Sequence, residues 1–172
     1  MGNKSEPDIL NTLEMEIALM RYFEFNKNYV VPNVTKMSNL VRFETDIISV
    51  TKSGYATGVE IKVSKSDMKA DFRKHHHMQI KRLPKTFDLF YKPFKYFYYA
   101  FPHYLYDDLK ELVPKRFGIL TVHGLNHVRM RREAKFLFNT KWTNKMILNL
   151  LRLGTMRIYG LKTNALNLSK GD

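Results

Sequence analysis

Leu10, Leu13, Ile17 and Met20 recur at three- and four-residue intervals within residues 8–25. That spacing predicts an amphipathic helix, with Glu16 beside the apolar stripe rather than opposite it. Asn26 and Asn28 mark its end, and Tyr29-Val30-Val31 before Pro32 reads as a short strand. The pattern then becomes extended. Residues 41–50 form a β-branched run, Thr51-Lys52-Ser53-Gly54 a turn, and residues 55–63 a second extended run, which together predict a hairpin. Ser64 and Ser66 suit the cap of a helix that begins near Asp67 and runs to about Leu83, where Pro84 stops it. Residues 96–101 and 118–122 predict two more strands, separated by a helix over about 104–113. A basic segment, 128–138, and a helix over 143–153 follow. This order, helix, three strands, helix, strand, helix, strand, predicts an α/β or α+β fold with a single mixed sheet flanked by helices. No repeat or Gly/Ser/Pro-rich linker divides the chain. Residues 1–161 are therefore read as one domain and 162–172 as a flexible tail.

The hairpin carries the chemistry. In a three-residue loop, Lys52-Ser53-Gly54, a left-handed Gly54 makes Thr51 pair with Tyr55. Asp46 then faces Glu60 and Glu44 faces Lys62, with all four groups on one side of the sheet. Phe43, Ile47, Val59, Ile61 and Val63 are expected on the other side. Charged residues inside so apolar a run call for a reason beyond a solvated face of ion pairs. Two opposed carboxylates repel, and a divalent cation removes that cost. Mg²⁺ uses one or two carboxylates while keeping waters and substrate phosphate. Asp46 and Glu60 fit that role, the Ile61 backbone carbonyl can add a ligand, and Glu16 can contribute a further carboxylate. Lys62 would position or deprotonate a water, or stabilise charge on a phosphate.

Composition sharpens this picture. The 172 residues carry a net charge of +13 and contain no cysteine, which removes thiolate zinc sites and cysteine nucleophiles. The charge is segregated. Residues 1–60 hold 6 Lys+Arg against 8 Asp+Glu, whereas 61–172 hold 23 against 8, a net of +15. Such a half attracts polyanions, nucleic acid foremost. Lys65, Lys69, Arg73 and Lys74 directly follow the hairpin, and Arg129, Arg131 and Arg132 form a second basic run, so both are expected to contact DNA phosphates. With no apolar run long enough to span a bilayer and no leader-like N-terminus, the expectation is a cytoplasmic protein without membrane or small-molecule cofactor.

Asp46, a thirteen-residue gap, and Glu60-Ile61-Lys62 resemble the signature of the PD-(D/E)XK nuclease superfamily. The pieces Glu14-Met15-Glu16-Ile17, Val31-Pro32-Asn33-Val34, Lys52-Ser53-Gly54-Tyr55 and Glu60-Ile61-Lys62-Val63-Ser64-Lys65-Ser66-Asp67 look like the small MmcB-type DNA repair proteins, also met in phage genomes. The resemblance is close over the first half and rests on element order thereafter. It implies a restriction-endonuclease-like αβββαβ core. It also implies a Mg²⁺- or Mn²⁺-dependent DNA endonuclease or nickase, with Asp46, Glu60 and Lys62 as the catalytic set, Glu16 as the helix carboxylate, and a possible homodimer. Thr45 stands where the family name has proline. Gln79 is followed four residues later by Leu83, so the Gln-x-x-x-Tyr element of the RecB-type branch is missing. The alternative is a nuclease-fold protein or accessory subunit that holds DNA without cutting.

Other motifs carry less. His75-His76-His77 lie within one predicted helix, where consecutive side chains point about 100° apart and do not close on one ion. His123 to His127 faintly resemble a histidine-asparagine-histidine nuclease, but without its ββα unit. The aromatic stretch from Tyr91 to Phe101 is expected mainly in the core. A glycosidase with a carboxylate pair fits neither the lysine nor the basic half.

Overall fold

In a computed structural model, which describes residues 10–35, 40–82 and 84–169, the chain forms one six-stranded mixed sheet with helices on both faces, an α+β fold. Helix α1 (Thr12–Tyr22) starts with a capping box: the Asn11 side chain accepts from the Glu14 N–H and Glu14 accepts from the Asn11 N–H. Strands β1 (Tyr29–Val34), β2 (Thr45–Val50) and β3 (Ala56–Ile61) follow as an antiparallel set. Three short helices come next, α2 (Lys65–Asp71), α3 (His75–Arg82) and α4 (Phe87–Tyr91). β4 (Tyr96–Pro102) then pairs parallel to β3. After α5 (Tyr106–Leu109), β5 (Gly118–Gly124) lies parallel to β4, and β6 (His127–Arg132) closes the sheet antiparallel. Helix α6 (Asn144–Leu168) is capped by the Thr143 hydroxyl, which accepts from the Met146 N–H, and packs on β1. Spatial strand order equals sequence order.

The pleat splits the core in two. Ile47, Val59, Ile61, Leu120 and Val122 face α1, where Met15, Ala18 and Leu19 are fully buried. The opposite face is aromatic: Tyr91, Phe94, Phe97, Tyr99 and Phe117 pack at centroid separations of 4.9–6.1 Å. These rings are core, as expected of the aromatic stretch. Gly118 admits the closest approach, because a Cβ there would lie 2.2 Å from the Tyr98 ring and 2.8 Å from the Ala134 nitrogen.

The hairpin register matches the expectation. Thr51 N–H donates to the Tyr55 carbonyl at 3.0 Å, Gly54 has φ +86°, and Ile47 pairs with Val59. Several elements differ from the sequence reading. β2 begins at Thr45, so Glu44 lies outside the ladder and is exposed rather than set across from Lys62. Phe43, freed from strand alternation, turns to the aromatic face and lies 5.2 Å from the Tyr91 ring. The helix expected over 67–83 is two, α2 and α3, broken after Asp71 where the Arg73 and Lys74 N–H groups bond to the Ala70 and Asp71 carbonyls. Leu83 falls outside the described residues. The helix expected over 104–113 is a single 3₁₀ turn (His103–Leu105) and the four-residue α5. Residues 162–168, read as tail, continue α6, which contains no proline to end it.

Candidate active site

Asp46 and Glu60 project from adjacent strands onto the aromatic face, at the end of the sheet where β2 and β3 part. The β2–β3 ladder ends at Ile47 and Val59, and one further step puts Asp46 across from Glu60. There Asp46 Oδ2 accepts the Ile61 N–H at 2.6 Å, so a side chain substitutes for a ladder carbonyl. The Ile61 carbonyl points to that same opened edge, as both polar groups of an extended residue do. Lys62 N–H continues the pairing to β4 through the Ala100 carbonyl at 2.9 Å, which brings the Lys62 side chain onto the Glu60 face.

Glu60 and Lys62 are only 4% and 2% exposed, and Lys62 Nζ donates to Glu60 Oε1 at 2.7 Å. Burial of this kind is costly unless the charges are compensated. The break between α2 and α3 supplies part of the compensation. It lowers Asp71 into the core and returns Lys74 and His77 toward the sheet. Lys62 Nζ lies 3.2 Å and Lys74 Nζ 2.7 Å from Asp71 Oδ1, close as ion pairs though not aligned as hydrogen bonds. Lys74 also donates to Glu60 at 3.1 Å. On the far side, Asp71 Oδ2 accepts from the Tyr99 hydroxyl at 3.0 Å and meets His77 Nε2 at 3.1 Å. β4 places Tyr99 beside Glu60 in the parallel register.

Proton affinities within this network diverge. Burial, then the Asp46 charge, pushes the Glu60 carboxyl up to about 8, despite Lys62. Burial likewise raises Asp46 against the pull of the Ile61 N–H and the two lysines. Asp71 goes the other way: burial alone would raise it, but His77, Lys62 and Lys74 outweigh that and hold it well below the usual carboxylate range. Burial would lower both lysines, yet Glu60 and Asp71 keep them above their ordinary value. The result is an acid pair short of positive charge beside an anchored ammonium.

Glu16 reaches this end of the sheet indirectly. Asn33 Nδ2 donates to Glu16 Oε1 at 2.7 Å, and Asn33 stands beside Asp46 in the β1–β2 register, with φ +54°. Among the described residues, no hydrogen bond or ion pair joins Glu16 to Asp46, Glu60 or Lys62. Among the basic residues, Lys65, Lys69 and Arg73 are exposed, Lys65 pairing with Asp108 at 3.7 Å. Lys74 instead turns into the acid cluster. Arg129 donates to His127, Arg131 covers the Tyr106 ring, and Arg132 is structural, donating to the Phe117, Val113 and Pro114 carbonyls. Asp71, His77, Tyr99 and Asn33 had no place in the sequence reading of the site. Asp71 alone left a signal, as an acid three residues from Met68 and next to Phe72, on the helix's apolar side.

Fold and site together define an α+β protein with a buried acid–amine cluster at one end of a mixed sheet. A solved structure described as a protein of unknown function, SPO1766, from Silicibacter pomeroyi is similar over 96% of this chain and 97% of its own, with TM-score 0.56 and 15% identity. That likeness speaks to the fold. No protein-family model matches the sequence, and no curated protein matches it.

Proposed function

We propose that this chain is a Mg²⁺- or Mn²⁺-dependent phosphodiesterase of the PD-(D/E)XK type that nicks or cleaves DNA, in repair, recombination or genome processing. The observation that carries the reading is the convergence of Asp46, Glu60 and Lys62 at one opened strand end, which α2 with its exposed Lys65 and Lys69 directly follows in the chain. Among the described residues no three His, Asp or Glu side chains are grouped to hold a metal ion. The chemistry fits nonetheless, because Mg²⁺ needs only one or two carboxylates, and both acids here have raised proton affinities from burial without enough counter-charge. Asp46, Glu60 and the Ile61 carbonyl would hold the ion, which when bound supplies Lewis acidity and an activated water.

The chain's own residues do the rest. Ile61 N–H fixes one oxygen of Asp46 and so aims the other. Asp71 anchors the Lys62 ammonium, which stays protonated and suits charge stabilisation at a phosphate better than proton abstraction. Lys65, Lys69 and Arg73 would grip the backbone without reading bases. A supercoiled plasmid incubated with Mg²⁺ or Mn²⁺ is expected to be nicked by the native protein and spared by Asp46→Asn and Lys62→Ala. Equal nicking by all three rejects the assignment.

One observation favours a second reading, a DNA-binding protein that does not cut. Lys62 and Lys74 both lie on Glu60 Oε1, so the acid pair already has internal cations. That protein would bind DNA with a steep salt dependence and nick nothing with any divalent ion.

A further inference from the structure

Three histidines stack at the other side of the same sheet face. His123, near the end of β5, lies between His103, which follows β4, and His127, which opens β6. The ring centroids are 4.6 Å and 4.7 Å apart, with planes inclined by 11° and 26°. Near-parallel rings direct their nitrogens side by side rather than to one point, so the stack is not built as a metal centre. His123 Nε2 lies 3.2 Å from the Thr121 hydroxyl, and His127 Nε2 accepts from Arg129 Nε at 2.9 Å.

The charged surroundings are one-sided. From β6 come Arg129 and Arg131, the latter 4.3 Å over the Tyr106 ring of α5. From α1, Arg21 holds the β5–β6 turn through the Leu125 carbonyl and Asn126. The acid of α5 that acts on Arg131, Asp107, is paired with Lys110 at 2.7 Å. Burial, then His103, His127 and the two arginines, lowers the proton affinity of His123. Among the described residues these stacked imidazoles and guanidiniums form no ion pair with a carboxylate, so the group suits an anion.

Its place suggests which anion. Thr121 pairs with Phe101 on β4, and Lys62 aligns with Phe101 from β3. Two strand spacings and two residues further along β5 put His123 roughly 12 Å from Lys62 on the same face. That is a reach a nucleic-acid backbone covers in a few nucleotides. We propose that the His103–His123–His127 stack, with Arg129, binds a backbone phosphate of a nucleic-acid strand that passes the acid–amine site. The placement of the strand rests on the function proposed above; the anion site stands on the stack itself. A phosphate there would accept from Arg129 and from imidazole N–H groups, and a proton added to the stack supplies a further donor and a further positive charge.

The test is the affinity of the full chain for a short labelled duplex and single strand, without divalent ions, by fluorescence anisotropy at about pH 6 and about pH 8. Glu60 also gains protons over that range, so the native protein is compared with a His103→Gln/His123→Gln/His127→Gln variant and with His123→Phe, which keeps a ring in the stack. The native protein is expected to bind at least about tenfold tighter at the lower pH, since one fully linked proton gives tenfold for each pH unit crossed. The triple variant should lose most of that gain, with unchanged circular dichroism, and His123→Phe part of it. An equal gain in native protein and variants overturns the proposal, as does absence of binding to either nucleic acid. Histidine-dependent binding without nicking would sink the cleavage reading and leave this site intact.

Discussion

Replacing Glu60 with glutamine removes a carboxyl whose proton affinity the fold raises from 4.5 to about 8, through burial and then the Asp46 charge. Between those values the folded protein holds a proton that the unfolded chain has released. Its contribution to stability is therefore complete below about pH 4.5 and is lost as pH rises through about 8. The interval from 4.5 to 8, at about 1.4 kcal/mol per pH unit, amounts to about 5 kcal/mol in all. About 3 kcal/mol of this falls between pH 5.5 and pH 9. Urea unfolding of native protein and Glu60→Gln, followed by circular dichroism over that range, reads it, because titrating groups outside the Glu60 cluster cancel in the difference. The native protein should lose about 3 kcal/mol relative to the variant as pH rises, and saturating Mn²⁺ should recover part of the loss in the native protein alone. A difference flat within about 0.5 kcal/mol would refute both the burial argument and the charge deficit on which the metal proposal leans.

Further expectations follow from the same contacts. Lys62→Met leaves Glu60 and Asp71 short of a buried cation and should destabilise by about 3–5 kcal/mol at neutral pH, read by denaturant midpoint. Arg132→Met strands the Val113, Pro114 and Phe117 carbonyls and should cost about 1–3 kcal/mol, with no change in metal-dependent nicking. Gly118→Ala drives a methyl into the Tyr98 ring and the Ala134 backbone, and should cost at least about 1–3 kcal/mol or prevent folding. Lys69→Ala and Arg73→Ala, on exposed surface, should each lower the salt slope of DNA binding by about one while leaving the melting temperature unchanged.

The hairpin was the legible part because its turn sets its register: once Gly54 takes the left-handed position, the alternation of the pleat carries Asp46 to Glu60 without reference to the rest of the fold. Tertiary partners escaped. Tyr99 sits in a run of aromatics whose alternation says only that half face inward, and nothing local marks the one whose hydroxyl meets Asp71. The break after Asp71 escaped because residues 67–83 contain no glycine or proline before Pro84; the turn there is imposed by the ion pairs it makes, not by local preference. β6 was read only as a basic segment, since an edge strand with exposed Arg129 and Arg131 lacks the apolar alternation of a covered one. The length of α6 was missed for the opposite reason. Its last three turns bury little, so the apolar stripe that ends at Leu153 gives no sign that the helix continues.

Both lateral edges of the sheet resist extension by another chain. Along β1, Pro32 has no N–H to offer an incoming strand and Asn33 twists the backbone away. Along β6, irregular register at 119/120 and 122/124 interrupts the ladder, and the arginines present a fringe of like charge. Concentrated samples should accordingly stay dispersed rather than zip into cross-β fibrils, and that protection is electrostatic enough on the β6 side to weaken when multivalent anions coat it.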